Sequence, residues 1–442
     1  MNPLPDLSLV LALASVLLIP FALVGLALIN TGLVRSRNAA HVMASSLGVI
    51  AVSAIAYLVC GFAWQGAIGT PAYAFHVSGK EWNWIANGPL FWRGLDWNGS
   101  AASLVAWMQM LSVALAALIP TGTAAERWRL PALCASTAVL AGFVYPIFAH
   151  WVWAGGWLAQ LGVNYGIGRG FVDAGGSSAI QAVGGLMALA MAWIVGPRRG
   201  KFTPDGMPTA IPGHNGVFVL LGCLLAWVGW LGLNSAGAIL FTGVDPHRLA
   251  LIAVNTTIVA GASALASAVV TSARFGKPDA SLAGNGWVGG LAAGSAACAF
   301  VPPAAAMFIG LVAGIGIPLA IENLELRLGL DDPGGAISVH VVGGLWGVLA
   351  VGLFGRFPDP VFNAVNANSF YGTSGQWLAQ LTGIATLLGV VLPVVYGVNW
   401  LLNRFLPYRA PADGERQGLD LHELGAGAYP EFMTHTDEFL QR

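Results

Sequence analysis

Charged residues are scarce in this chain of 442 residues: lysine and arginine together number 19, aspartate and glutamate 20, and the net charge is -1. Soluble domains usually carry about 25% charged residues. This chain carries 9% and is 56% hydrophobic. The composition excludes a soluble protein and predicts one that crosses a membrane several times. The lack of a basic excess also argues against nucleic acid as a partner, since a polyanion binder needs a basic face.

Cysteine is also rare, and the four cysteines are far apart inside apolar runs: Cys60, Cys134, Cys223 and Cys298. No two of them have metal-ligand spacing, so we interpret them as small buried residues and expect no metal site. The chain also lacks a Walker loop, a nucleophile elbow and a dinucleotide fingerprint. We therefore expect neither a cofactor nor an enzymatic activity.

Long apolar runs are abundant, and eleven of them reach the roughly 20 residues that a bilayer crossing needs. They lie near residues 7–30, 39–66, 101–123, 131–153, 175–195, 215–240, 249–272, 281–300, 304–322, 334–355 and 377–404. Lysine or arginine follows every odd-numbered run, and short cytoplasmic loops retain basic residues. The sequence therefore predicts an all-α polytopic membrane protein with its N-terminus outside and its C-terminus inside.

Two stretches of the chain match each other, residues 173–186 and residues 332–345. They share the opening acid, both glycine pairs, a valine and a leucine, and they place Gln181 opposite His340. Under the predicted topology they cross the membrane in opposite directions. Antiparallel repetition of this kind is typical of transporters built from two inverted halves.

The duplication predicts how the chain is divided. We expect a membrane domain over residues 1–407 that contains two inverted five-helix repeats and one extra helix. The repeats span about 7–195 and 215–355, and the extra helix spans about 377–404. The charge-rich residues 408–442 would form a cytoplasmic tail.

Polar side chains inside the apolar runs each require an explanation, because a charged one costs about 2.5–3.5 kcal/mol in the membrane. Gln181 and His340 lie at matching depth near the middle of their runs. Together they predict a narrow polar path at the repeat interface, while the alternative is a hydrogen-bonded core histidine. Asp173 and Asp332 stand at helix starts and are interpreted first as caps. Asp173 is also a candidate to order an outer vestibule for a cation.

Tryptophans crowd the outer end of the fourth run, where residues 150–157 read His-Trp-Val-Trp-Ala-Gly-Gly-Trp. Tryptophan belts at membrane interfaces are common and would explain most of this pattern. The alternative is an aromatic wall at Trp153 that binds a cation, since an indole face attracts ammonium-type ions by about 0.5–2 kcal/mol.

Along nearly its whole length the chain resembles the ammonium transporter family of Amt, methylammonium permease and Rhesus proteins. The matching stretches are residues 31–38, 125–127, 145–153, 213–215, 229–234, 255–257, 331–340, 418–420 and 428–430. The resemblance implies a homotrimer of eleven-helix subunits in a cell membrane, the inner membrane of a bacterium, with an ammonium or ammonia pore in each subunit. It also implies a tail that couples the subunits and contacts a PII-type regulatory protein.

The resemblance also implies an outer substrate site. Trp153 matches the tryptophan of that site and Asp173 the acid that supports it. Ser295 stands where the family usually has a threonine. Gly237 lies where a serine commonly helps to hold the ion.

Further along the pore, the resemblance identifies two departures. His340 matches the second of two paired pore histidines, while Gln181 replaces the first. Ser112 and Leu233 lie where stacked phenylalanines close the outer mouth. Two other side chains are candidates to fill that mouth: Trp107 and Met108.

These departures decide the functional prediction. Imidazole titrates near neutral pH and a carboxamide does not, so Gln181 can hydrogen-bond His340 but should not accept its proton. We expect a channel for ammonia or another small neutral molecule, with weakened charge relay. Two alternatives remain open: an ordinary electrogenic ammonium transporter that uses an ordered water wire, and a non-conducting ammonium receptor that signals through its tail.

Overall fold

The computed structural model describes residues 6–357 and 374–432. Within these residues, ten helices are long and apolar enough to cross a membrane. They are α1 (Asp6–Leu33), α2 (Ser36–Gln65), α3 (Ala101–Ala124), α4 (Leu130–Trp153), α5 (Ser177–Val195), α6 (Gly216–Thr242), α7 (Pro246–Phe275), α9 (Pro303–Leu328), α10 (Ile337–Phe354) and α11 (Gln376–Phe405). The shorter α8 (Ala280–Gly294) lies between α7 and α9. The chain is a multi-pass membrane protein.

The helices follow the predicted apolar runs, and the largest difference is at the run expected over 281–300. There α8 ends at Gly294, and the chain continues in turns to residue 301. Non-helical backbone at membrane depth needs partners for its polar groups. Asn255 of α7 supplies two, because its Nδ2 donates to the carbonyl oxygens of Cys298 and Val301, both at 2.9 Å.

Small residues let helices pack closely where lipid provides no hydrophobic drive for association. A Cβ added at Gly25 of α1 would lie 2.5 Å from the backbone nitrogen of Ala226, and one at Gly229 of α6 would lie 2.1 Å from that of Ala22. The α1 and α6 backbones are therefore in direct contact. This contact explains part of the chain's high glycine content.

An antiparallel hairpin of β1 (Ala72–Val77) and β2 (Lys80–Ala86) follows α2. Asn83 of β2 accepts the backbone N–H of Trp157 at 3.0 Å and donates its own to Gln160 Oε1 at 2.8 Å. The Trp151 indole N–H donates to the carbonyl of Trp84 at 2.6 Å. The hairpin thus braces the end of α4, the helix that carries Trp153.

At the opposite end of the helices, a buried ion-pair network joins three loops. Arg198 donates through two of its nitrogens to the carboxylate of Asp331, at 2.9 Å each, and through a third to Glu126 at 3.1 Å. Burial alone would raise the pKa of Asp331, but the hydrogen bonds and charge of Arg198 and the charge of Arg127 hold it below its usual value.

The C-terminal segment docks against the same end of the molecule. The Leu419 N–H donates to Asn38 Oδ1 at 2.9 Å, and the Asp420 carboxylate accepts the backbone N–H of His41 at 2.7 Å. Glu423 pairs with the His41 ring at 2.9 Å. The tail therefore docks against the start of α2, and Glu423 also accepts the backbone N–H of Leu130 at the start of α4, at 2.9 Å.

Candidate functional site

The two matching stretches adopt the same local backbone. Both α5 and α10 begin with six residues of wide, π-type helix, Ser177–Ala182 and Ile337–Val342. A glycine in the left-handed region precedes each, Gly176 with φ 95° and Gly335 with φ 66°. Wide turns of this kind occur often at functional sites.

Each stretch also begins with a capping carboxylate. Asp173 accepts the backbone N–H groups of Ser177 at 2.9 Å and Ser178 at 2.7 Å. Asp332 accepts those of the two equivalent residues, Ala336 at 3.0 Å and Ile337 at 2.7 Å. Both acids therefore satisfy backbone donors that a helix start leaves unpaired. The capping role interpreted from the sequence is present at both.

The two wide turns cross in direct backbone contact. A Cβ added at Gly185 of α5 would lie 2.7 Å from the backbone nitrogen of Val341. The contact is reciprocal: a Cβ added at Gly344 of α10 would lie 3.0 Å from the backbone nitrogen of Ala182. Gly185 and Gly344 are equivalent positions in the two stretches, and so are Ala182 and Val341. Gly185 and Gly344, the second glycines of the two pairs, thus allow an approach that a side chain would prevent.

Gln181 and His340 meet at this crossing. The imidazole Nδ1–H donates to Gln181 Oε1 at 2.7 Å, and both side chains are buried. With the proton on Nδ1, a neutral His340 carries its lone pair on Nε2. Gln181 Nε2 has no hydrogen-bond partner within the described residues. The crossing therefore contains one titratable group, the His340 imidazole, and one unpaired amide donor, Gln181 Nε2.

A small cavity adjoins His340 on the side of α1 and α8. Its volume is about 10 Å³, about enough for one water molecule, and its lining includes the amide side chains of Asn30 and Asn285. Neither asparagine was predicted from the sequence as part of the site. Their signal was visible as polar residues inside apolar runs, but helix faces could not be assigned without the packing.

Trp153, at the end of α4, lies in space next to the start of the first stretch. Its indole N–H donates to the backbone carbonyl of Asp173 at 2.6 Å. Phe241 of α6 stacks on its ring, with centroids 4.5 Å apart and planes 13° apart. One face of the indole is therefore occupied by a phenylalanine that the sequence analysis did not identify.

Gly237 and Ser295 are brought close to the same backbone. A Cβ added at Gly237 would lie 2.2 Å from the carbonyl oxygen of Ala174, so this position admits no side chain without movement. The Ser295 hydroxyl donates to the Leu291 carbonyl at 2.8 Å and accepts the Trp230 indole N–H at 3.1 Å. Both residues are engaged in packing the helices around Asp173.

Of the four predicted gate positions, Ser112, Leu233 and Met108 carry no ring. Ser112 is fully buried, and its hydroxyl donates to the Met108 carbonyl at 2.8 Å within α3. Met108 and Leu233 are also fully buried, whereas Trp107 is partly exposed. The stacked aromatic pair described above, Trp153 with Phe241, involves none of these four positions. Among the described residues, no three His, Cys, Asp or Glu side chains form a group that could hold a metal ion.

Comparison with known proteins gives consistent matches. The Ammonium Transporter Family model matches residues 10–429. Ammonium transporter Amt2 of Archaeoglobus fulgidus is 35% identical over 444 residues, which cover 98% of this chain and 90% of that protein. An ammonium transporter of Bacillus subtilis is 32% identical over 409 residues, covering 92% and 95%.

Two solved structures are similar over most of the chain. A protein described as a sensor Amt protein superposes with a TM-score of 0.81 at 27% identity, covering 94% of this chain and 98% of its own. Candida albicans Mep2 superposes with a TM-score of 0.76 at 21% identity, covering 98% and 93%. The second likeness supports the fold alone.

Proposed function

This chain belongs to the ammonium transporter family, and from that premise we propose that it is a channel for ammonia, or another small neutral molecule, with weakened movement of charge. The observation that carries the proposal is the 2.7 Å hydrogen bond between His340 Nδ1 and Gln181 Oε1. A relay along two side chains requires that each can take up and release a proton. The carboxamide of Gln181 does neither near neutral pH.

The remaining residues give this proposal a path. Ammonium meets the outer surface at Trp153, whose stack with Phe241 covers the way inward. It leaves its proton outside, because a charged form is costly in the membrane. The neutral molecule passes the pair of Gln181 and His340 and reaches the small cavity beside Asn30 on the cytoplasmic side.

The same proposal includes the arrangement of the chain. The reciprocal contacts of Gly185 and Gly344 support an inverted repeat, with residues 7–195 facing 215–355 and an extra helix at 377–404. This gives eleven crossings, with the N-terminus outside and the C-terminus inside a bacterial inner membrane. Three such subunits assemble into a trimer. Residues 408–442 form the tail, where a PII-type protein would bind.

A sensor is the second candidate function, and two observations favour it. The structural likeness to a sensor Amt protein spans 94% of the chain. In addition, Asp420 and Glu423 hold the tail against the start of α2, a contact through which occupancy of the pore would reach a partner. The third candidate, an electrogenic transporter, is favoured by the cavity beside His340, which has room for a water.

Liposomes with the purified protein distinguish the three candidates. A lumenal pH dye reports entry of ammonia as alkalinisation, and a solid-supported membrane records current under the same ammonium gradient. The channel predicts alkalinisation faster than in protein-free liposomes, with little current. A current in proportion to uptake would contradict the channel and support the electrogenic transporter. Ammonium binding without uptake would contradict the channel and support the sensor.

A further inference from the structure

A serine of the first matching stretch connects the start of α5 to the end of α8. Ser177 is fully buried, and its hydroxyl donates to the carbonyl oxygen of Ala292 at 2.7 Å and accepts the backbone N–H of Ala296 at 2.8 Å. Backbone groups four residues apart bond to each other directly in a continuous α-helix. The hydroxyl therefore takes the place of that direct bond, at the point where α8 ends and the turns at 295–301 begin.

We propose that Ser177 is a positioning residue for the outer substrate site. Through its two hydrogen bonds to α8 and the turns, it fixes the backbone around Asp173 in the conformation that binds ammonium, without contacting the ion itself. The inference rests on the proposed entry of ammonium at Trp153. Interrupted helices often form the substrate sites of transporters, and the end of α8 is an interruption of this kind.

The contacts of Ala296 show how the effect reaches the site. Its N–H donates to Ser177, and its carbonyl oxygen accepts the N–H of Ala174 at 3.2 Å. Asp173 is the neighbour of Ala174 in the chain. The Asp173 carboxylate accepts the N–H of Ser177 at 2.9 Å, and its backbone carbonyl accepts the indole N–H of Trp153 at 2.6 Å. A displacement of Ala296 would therefore move both the acid and the indole.

The second matching stretch shows that the wide turn itself does not need the hydroxyl. Ala336 is the equivalent of Ser177. Its N–H is bound by Asp332 at 3.0 Å, and a wide turn follows it at Ile337–Val342. The capped helix start thus forms with alanine as well as with serine. The hydroxyl of Ser177 serves the contact with α8, which only the first stretch makes in this way.

The turns at 295–301 are also held from their far side, by α7. Asn255 donates to two of their carbonyl oxygens, and Arg248 Nη1 donates to that of Ala299 at 2.8 Å. Every residue from 295 to 301 is buried. Because the far side is fixed in this way, the turns give Ser177 a rigid support against which to hold the backbone around Asp173.

Uptake into liposomes over a range of ammonium chloride concentrations tests the positioning role. Ser177→Ala introduces the residue that the second stretch already has, so the protein should fold. The half-saturating concentration should rise about fivefold, since one hydrogen bond contributes on that order. The maximal rate should change by less than about twofold, because Gln181 and His340 are untouched. The matched control is Ser267→Ala in α7, which removes a buried hydroxyl that donates to the Gly314 carbonyl at 2.8 Å and should leave half-saturation unchanged.

A second pair of variants acts on the turns from their far side. Arg248→Met removes the donor to Ala299 and should also raise the half-saturating concentration, whereas Arg248→Lys keeps a donor and should restore most of the wild-type value. Equilibrium binding of ammonium chloride to the detergent-solubilised protein is measured in parallel. Wild-type binding without uptake would contradict the proposed channel alone, and the binding affinities of the variants would then decide the positioning role.

Two results would overturn the positioning role of Ser177. One is a Ser177→Ala protein that loses stability as Ser267→Ala does but keeps the wild-type affinity and half-saturation for ammonium. The other is a wild-type protein that binds no ammonium at all. Weaker binding in Ser177→Ala and Arg248→Met, with wild-type binding in Ser267→Ala, would support it.

Discussion

Residues 173–186 and 332–345 have the same backbone and different chemistry. Each stretch begins with a capping acid and a left-handed glycine, continues as a wide turn and ends in a glycine pair whose second glycine contacts the other stretch. At the crossing itself one stretch carries Gln181 and the other His340. The conformation is therefore set by the acids and glycines, and the residue at the crossing is free to change the chemistry.

The surroundings of the two stretches differ as well. The first starts beneath a ring stack, Trp153 on Phe241, whereas a cavity with the amides of Asn30 and Asn285 adjoins the second. The surroundings of the first stretch are therefore aromatic, and those of the second are polar and include a cavity of about 10 Å³. Four sets of substitutions test how far the two stretches are equivalent, in order of decreasing expected effect.

Disrupting the close backbone contact should reduce the stability of the protein most. Gly185→Ala and Gly344→Ala each place a Cβ against backbone of the opposite stretch, 2.7 Å and 2.6 Å from the nearest atom, and should lower the free energy of unfolding by about 2–3 kcal/mol. Unfolding in detergent measures both. Gly261→Ala in α7, where a Cβ meets nothing within 4 Å, is the control and should stabilise slightly. If only one of the two variants lost stability, the contact between the two stretches would not be reciprocal.

Removing the caps should cost less. Asp173→Ala and Asp332→Ala should each lose about 1–2 kcal/mol, as helix caps do. Asp173 should lose more, because it accepts hydrogen bonds from Gly176, Ser177, Ser178 and Ala179, whereas Asp332 accepts them from Thr123, Ala336 and Ile337. The same unfolding assay applies, with the Asn variants as shape-matched controls. Equal losses in the Ala and Asn variants would argue that charge alone matters.

Removing the outer stack should have a smaller effect on stability. Phe241→Leu loses a ring pair worth about 1 kcal/mol and uncovers one face of Trp153. Entry of ammonia into liposomes should become faster, because leucine is smaller than the phenylalanine ring that covers Trp153. Phe275→Leu, at the exposed end of α7, is the control. Unchanged entry would show that the stack does not limit access.

Exchanging the two crossing residues should cost least. The double variant Gln181→His with His340→Gln keeps one imidazole and one carboxamide in contact, so the free energy of unfolding should change by less than about 1 kcal/mol. Each single change alone should cost more than the pair. A double variant that unfolds more easily than both singles would show that the two sides of the crossing are not equivalent.

The sequence predicted the features that depend on hydropathy or spacing. Apolar runs identified the membrane helices, and equal spacing from Asp173 and Asp332 paired Gln181 with His340. The sequence did not predict contacts between helices that are distant in the chain. Phe241 lies two helical turns beyond Leu233, and only packing shows that it reaches Trp153.

Backbone packing adds detail at two other positions. Gly237, predicted as part of the outer substrate site, lies so close to the carbonyl oxygen of Ala174 that an added Cβ would be 2.2 Å from it. The apolar run at 281–300 was continuous in hydropathy, yet its helix ends at Gly294, and Asn255 donates hydrogen bonds to the carbonyls of Cys298 and Val301 in the turns that follow. Backbone contacts of this kind have no signature in composition.

The most direct test of the interrupted relay is the ammonium-dependent current of the wild type and of Gln181→His on solid-supported membranes. Ammonia uptake into liposomes is measured in parallel to show that both proteins are folded and open. We predict a small wild-type current that rises severalfold in Gln181→His, because two imidazoles then meet at the crossing. A large wild-type current that Gln181→His leaves unchanged would contradict the account.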